Sequence, residues 1–89
     1  MKAVITVTGK DTVGIIADVA TLCAKHNANS LDITQSVLSE YFAMIMLADI
    51  QKLSIDFAEF VDLLSSLGKS KGLVINAMHE DIFNTMHHI

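Results

Sequence analysis

The sequence contains no arginine, no proline and no tryptophan, and it has a single cysteine. All six basic side chains are therefore lysines, and the formal net charge is −4. Surfaces that bind nucleic acid depend on clustered cations, with arginine favoured for paired contacts to bases and phosphates, so we expect no nucleic-acid partner. One cysteine excludes an intrachain disulfide, and the start of the chain lacks a signal-peptide pattern. Together these features predict a reducing, cytoplasmic location.

The length of 89 residues predicts one domain over residues 1–89, with a core over about 2–80 and a helical tail over about 81–89. A chain this short buries a modest core and is often completed by oligomerisation. No apolar run approaches the ~20 residues that a membrane span needs, so we expect no membrane partner.

Apolar residues recur first at strand spacing and then at helical spacing, in the order β-α-β-β-α-β followed by a helical tail. The predicted strands are Lys2–Thr8, Ser30–Leu38, Tyr41–Asp49 and Leu73–His79, and the predicted helices are Gly14–His26, Ile55–Leu67 and Asp81–Ile89. Asn27 is expected to help end the first helix, Ser54 to cap the second, and Gly68 and Gly72 to bracket its end. This order predicts an α+β, ferredoxin-like sandwich, a four-stranded antiparallel sheet with two helices on one face.

The third predicted strand is apolar on both faces, which is typical of a strand that is buried on both sides. Met44 and Met46 share one of these faces and are expected to fill core space against the helices. Because two helices can easily cover only one face of a sheet, part of the other face is expected to meet a second subunit. In the second predicted strand Leu31, Ile33 and Val37 share one face, and Gln35 is a polar exception on that face.

The stretch from Thr8 to Ile16 is the only place where a clear strand turns directly into a clear helix through polar and glycine residues. Backbone N–H groups at a helix start have no partner inside the helix, and the helix dipole favours negative charge there. A carboxylate or a phosphate could therefore bind at this loop. In the alternative, Asp11 or Thr12 caps the helix. The two roles do not exclude each other.

Three segments give the chain a resemblance to the ACT domain family over about residues 2–80: Gly-Lys-Asp-Thr-Val-Gly-Ile-Ile, Asn-Ser-Leu-Asp-Ile and the closing Met-His-Glu-Asp-Ile-Phe. It resembles the small free-standing single-ACT proteins of bacteria. It is also similar to the ACT regions of formyltetrahydrofolate deformylases and of the glycine-cleavage-system transcriptional repressor. The resemblance implies a homodimer whose ligands, commonly amino acids, lie between subunits. It implies ligand-binding positions at Lys10, Asp11, Thr12, Val13 and Gly14, with Asn29 opposite them.

An amino acid carries a carboxylate and an ammonium, so such a site needs groups that bind each of them. The loop N–H groups suit the carboxylate of the ligand, and Asp11, Asp32 or the side-chain oxygen of Asn29 suits its ammonium. In the alternative, Asp32 is an exposed strand residue and Asn29 is a helix-ending residue.

No arrangement in the sequence indicates catalysis, a cofactor or a metal site. His79, His87 and His88 are expected to be surface histidines, because adjacent histidines are poor partners within a helix. Cys23 lies on the apolar stripe of the first helix and is expected to pack rather than react. We therefore predict a non-enzymatic regulatory module that binds an amino acid and signals to a protein partner. The alternative is a protein-interaction adaptor that binds no small molecule.

Overall fold

The computed structural model describes residues 1–10 and 14–86. Its elements are β1 Lys2–Gly9, α1 Ile15–Lys25, β2 Asn29–Leu38, β3 Tyr41–Asp49, α2 Phe57–Ser70, β4 Val74–His79 and α3 Glu80–Met86. The strands form one antiparallel sheet in the order β2-β3-β1-β4. The predicted ferredoxin-like arrangement with a short C-terminal helix is confirmed. No helix in the described ranges is both long and apolar enough to cross a membrane.

The core lies between one face of the sheet and the helices α1 and α2. Its fully buried side chains recur at every second position on the strands and at spacings of three or four on the helices. These are the spacings at which side chains share one face of a strand or of a helix. The fully buried side chains are Ile5, Val7, Ile15, Val19, Cys23, Met44, Met46, Phe60 and Leu64. The prediction that Met44, Met46 and Cys23 pack in the core is confirmed.

The second face of the sheet, which we call the open face, is only partly covered within one chain. Along β3, Phe42 and Met44 are buried, whereas Tyr41 is 53% exposed and Ile45 is 43% exposed. The expectation that β3 is buried on both faces is therefore wrong for the single chain, because α1 and α2 pack on the same face. The third helix contacts β1 and β4. Cover by a second subunit stays a prediction.

The edge strand β2 departs from the alternation expected for it. Ser30 pairs with Ala48 and Asp32 pairs with Leu47, so Leu31 is an extra residue in the ladder. Such a bulge moves Leu31 out of step with the rest of the strand. Ile33 and Val37 pair with Met46 and Phe42 on one face of β3, so the prediction that these two share a face is confirmed, whereas Leu31 lies at the bulge and is an exception to it. All three side chains are exposed.

The second helix starts and ends later than predicted. Asp56 rather than Ser54 is its N-cap residue, and the backbone N–H of Ser54 donates instead to the carbonyl of His26 at 2.9 Å. At the other end the helix continues through Gly68 to Ser70, and the chain turns at Gly72 with φ of 70°. Asn27 ends the α1 segment with φ of 63°, which confirms its predicted role.

Candidate functional site

The loop after β1 reaches α1 through a glycine in the left-handed conformation. Gly14 is the N-cap residue of α1, with φ of 76°, and its carbonyl accepts the first helical hydrogen bond from the N–H of Asp18 at 3.0 Å. A Cβ atom built at Gly14 would meet no atom of the described residues within 4 Å. Asp11, Thr12 and Val13 lie outside the described residues.

The side chain of Lys10 lies next to the turn between β2 and β3. Its Nζ lies 3.7 Å from the carboxylate of Glu40 and 5.3 Å from the centre of the Tyr41 ring. Both partners of the ion pair are more than half exposed, and an ion pair of this kind contributes little stability. The Lys10 ammonium is therefore free to exchange Glu40 for a ligand at small cost.

The predicted loop and the predicted Asn29 position lie at opposite ends of the sheet. Gly9, at the start of the loop, pairs with Phe42, whereas Asn29 pairs with Asp49. Phe42 and Asp49 are seven positions apart in β3, which corresponds to roughly 24 Å along the strand. One chain therefore does not bring these two parts of the predicted site together.

Asn29 lines a groove of its own at the far end of α1. The larger part is a cavity of about 590 Å³ with an apolar floor on α1 and a polar rim. A smaller cavity of about 310 Å³ adjoins it and shares three lining residues, Asn27, Asn29 and Lys52. We call the two cavities together the Asn29 groove. Its lining residues are Ala20, Cys23, Ala24, Asn27, Ala28, Asn29, Ser30, Asp49, Gln51 and Lys52.

Backbone hydrogen bonds hold the walls of the Asn29 groove in place. The N–H of Ala28 donates to the carbonyl of Cys23 at 2.8 Å, which closes the end of α1. The N–H of Ser54 donates to the carbonyl of His26, which ties the segment between β3 and α2 to the same helix end. These bonds fix the walls of the groove within a single chain.

The cysteine in the groove floor is poorly suited to covalent chemistry. The Cys23 side chain is 1% exposed, and burial raises the pKa of its thiol from 9.0 to about 11. At neutral pH it is a protonated thiol and not the thiolate that attacks electrophiles. The groove therefore offers a ligand apolar contact and charge rather than a nucleophile.

Asp32, the remaining residue of the predicted site, points away from the groove. It pairs with Leu47 on the open face, and its Oδ1 accepts the N–H of Ile33 at 3.0 Å. It lines neither cavity of the Asn29 groove.

The histidine prediction needs one correction. The ring of His79 stacks on Phe57 at the start of α2, with ring centres 4.2 Å apart, and its Nδ1 is buried, so His79 is not a surface histidine. The cross-strand position opposite Ala3 turns it toward the helices. Among the residues with described placement, no group of three or more His, Cys, Asp or Glu side chains could hold a metal ion. His87 and His88 lie outside that part of the chain.

Sequence reasoning missed Asp49, Gln51 and Lys52 as part of a site. Asp49 is the last residue of β3, and Gln51 and Lys52 lie in the short connection after it. No recognisable motif marks this stretch, and only the fold places the three residues beside Asn29. The one available signal is that two oppositely charged residues, Asp49 and Lys52, lie close together in the sequence at the end of a predicted strand.

Comparison with known proteins gives consistent results. The family model described as ACT domain matches residues 2–78. The UPF0237 protein of Methanococcus maripaludis is 48% identical over 88 residues, which is 99% of this chain and 98% of that protein. The solved structure of an ACT domain protein from Streptococcus pneumoniae has a TM-score of 0.81 and 37% identity, and covers 93% of both chains.

Two larger proteins contain a similar fold. A formyltetrahydrofolate deformylase from Pseudomonas syringae has a TM-score of 0.76 and 20% identity, with 88% of this chain and 27% of that chain covered. A protein described as a glycine cleavage system transcriptional repressor has a TM-score of 0.68 and 24% identity, with 86% and 44% covered. At these identities the likeness concerns the fold alone.

Proposed function

This chain belongs to the ACT domain family, and from that premise we propose that it is a regulatory module that binds an amino acid between two copies of itself. One half of the proposed site is the loop Lys10–Gly14 of one subunit. The other half is the Asn29 groove of the second subunit. The module acts by binding and not by catalysis. Its ligand-bound and ligand-free dimers present different surfaces to a protein partner.

The observation that carries this proposal is the position of the loop and the groove at opposite ends of α1. A two-fold axis that sets α1 antiparallel to its copy moves each loop next to the groove of the other subunit. Such an interface is isologous, so it creates two identical sites at once. Backbone N–H groups of the loop then meet a ligand that lies in the groove.

The edge strand β2 supports this choice of interface. It is ten residues long and lies at the edge of the sheet, where unpaired backbone groups are available to another strand. Helix α1 packs on β2, and its outward side chains Ala17, Thr21 and Ala24 are small and exposed. Pairing of β2 with its copy therefore continues the sheet and lets the two α1 helices approach closely.

A second candidate function is a protein-interaction adaptor that binds no metabolite. The exposed apolar side chains of Tyr41, Ile45 and Val74 on the open face favour it, since contiguous apolar surface often marks a protein interface. A thermal-shift screen of the twenty amino acids, with analytical ultracentrifugation of the same sample, separates the two functions. A saturable rise in melting temperature supports the sensor, and a stable dimer with no rise supports the adaptor.

A complementation experiment tests the shared site directly. Gly14→Val places a β-branched residue at a left-handed position of the loop, and Asn29→Ala removes a polar group from the groove. We expect each variant alone to lose amino-acid binding. A refolded mixture should regain it, because each heterodimer has one site with neither substitution. A mixture as inactive as its components, although it dimerises, would contradict the proposed shared site.

A further inference from the structure

We propose that Asp49 and Lys52 hold the ammonium and the carboxylate of a zwitterionic amino acid whose uncharged side chain enters the larger cavity of the Asn29 groove. This inference rests on the proposed function, and it adds the residues that recognise the ligand and the class of ligand. Neither residue belongs to the loop Lys10–Gly14.

The charges of the two residues are complementary to those of a zwitterion. Among the residues that the structure describes, Lys52 is the only charged one that lines the larger cavity, and Asp49 lines the smaller cavity with it. Within residues 1–10 and 14–86 the ion pairs are Lys10–Glu40 and Lys71–Asp18, so neither Asp49 nor Lys52 has a charged partner. Lys2 stands opposite Asp49 in the strand register but forms no ion pair with it.

The segment that carries both charges is fixed by hydrogen bonds. The N–H of Gln51 donates to Oδ1 of Asp49 at 2.9 Å, which orients the carboxylate and leaves its second oxygen available. The N–H of Leu53 donates to the carbonyl of Ile50 at 3.1 Å, which closes a turn around Lys52. Because little backbone ordering remains to be done when a ligand arrives, binding loses less entropy.

The position of Lys52 on the wall between the two cavities fixes the orientation of the ligand. A carboxylate at Lys52 lets the ammonium enter the smaller cavity toward Asp49, while the side chain enters the larger one. The side-chain amides of Asn27 and Asn29, on the same wall, can donate to the carboxylate or accept from the ammonium.

The residues that line the larger cavity favour a ligand with an uncharged side chain. The floor of this cavity consists of the methyl groups of Ala20, Ala24 and Ala28 and the neutral thiol of Cys23. A cationic side chain would be repelled by Lys52, and an anionic one would compete with the ligand's own carboxylate for that single cation. An uncharged side chain has neither disadvantage, and a volume of about 590 Å³ accommodates it.

The test uses L-alanine, L-serine and L-valine as probes, with L-aspartate and L-lysine as charged comparisons, and calorimetry or thermal shift as the readout. In the full chain we expect Lys52→Met and Asp49→Asn each to weaken the uncharged probes by about tenfold or more, because each loses one charge-assisted contact. Asp49→Asn keeps an oxygen for the Gln51 N–H. Lys69→Met, which changes a lysine outside the groove, is the matched control and should bind as the unaltered protein does.

The outcomes separate this inference from the proposed function. If both groove variants bind the uncharged probes with unchanged affinity while Gly14→Val does not, the shared site stands and the roles of Asp49 and Lys52 are wrong. If Lys52→Met and Lys69→Met lose equal affinity for the uncharged probes, the loss comes from the change in net charge, and the inference is also overturned. If none of the twenty amino acids binds the unaltered protein, the proposed function fails together with it.

Discussion

At the scale of single residues, Cys23 shows how burial alone sets the chemistry of a group. The thiol is in the core between α1 and the sheet, and desolvation raises its pKa to about 11. The native thiol therefore keeps its proton at pH values where the unfolded thiol, with a pKa near 9.0, has released it. Between these two values the unfolded state binds fewer protons, so stability falls as the pH rises.

This difference predicts a measurable pH dependence. From pH 9.0 to about 11 the unaltered protein should lose up to about 1.4 kcal/mol of unfolding free energy per pH unit relative to Cys23→Ala, which has no thiol to titrate. Urea unfolding of both proteins across this range measures it. Because every other group is the same in the two proteins, its contribution cancels in the difference. Parallel curves would show that the native thiol ionises as easily as the unfolded one.

The sequence was sufficient to predict roles that depend on a residue's own backbone conformation. It was not sufficient for roles that depend on which residues the fold brings together. Asn27 was expected to end the α1 segment because asparagine tolerates the left-handed conformation, and it does so. Asp49 and Lys52 have no such local signature. Their place beside Asn29 depends on the pairing of β2 with β3 and on the path of the chain toward α2.

At the scale of elements, the close contact of α2 with β4 depends on a glycine. Gly68 lies inside the helix, and a Cβ atom there would come within 2.8 Å of the Leu73 carbonyl oxygen and 2.9 Å of Ile75 Cγ1. Gly68 and Leu73 are also joined by a backbone hydrogen bond, in which the N–H of Leu73 donates to the carbonyl of Gly68 at 2.8 Å. The helix and the strand therefore cannot separate there without disturbing that bond.

We predict that Gly68→Ala destabilises the protein by about 1–3 kcal/mol, although alanine is the better helix former. The steric cost exceeds the gain in helix propensity, because one of the close atoms belongs to the backbone. Chemical unfolding measures the change. Ser66→Ala, on an exposed position of the same helix, is the control and should be neutral or slightly stabilising. Equal stability of Gly68→Ala and the control would mean that α2 can shift freely on β4.

The existence and order of the elements followed from hydrophobic periodicity, but their details depended on tertiary contacts. The helix start moved from Ser54 to Asp56 because the Ser54 N–H bonds to His26, a residue distant in sequence. The bulge at Leu31 has no signal in the strand pattern itself, since polar and apolar residues alternate through it. Local propensity cannot predict either event.

At the scale of the whole molecule, the sheet has two free edges, and the proposed function requires one of them to form the dimer. Sequence reasoning placed the loop and Asn29 in one site by family resemblance, and the strand register separates them by the length of β3. The loop of one chain and Asn29 of another can form one site only if the interface between the chains lies along β2, where α1 is also found. The other edge, β4, contacts α2, and no β4 residue is among the described residues that line the groove.

Two exposed valines, one on each edge strand, provide a matched test of this choice. Val37 on β2 is 71% exposed and Val74 on β4 is 58% exposed, so an aspartate at either position costs the single chain little. In a dimer formed along β2, Val37→Asp brings a carboxylate from each subunit into an apolar interface. Burial of an unpaired charge should weaken association by about tenfold or more. Val74→Asp should leave the dimer intact.

Sedimentation across a concentration series measures both variants, and amino-acid binding by the same samples links assembly to function. Val37→Asp should lose dimerisation and binding together, because each monomer has a loop and a groove that cannot meet. If Val74→Asp is the variant that dissociates, the dimer uses the β4 edge and the shared site is wrong. If Val37→Asp becomes monomeric but still binds, the groove is sufficient alone and the loop of the partner has no part in recognition.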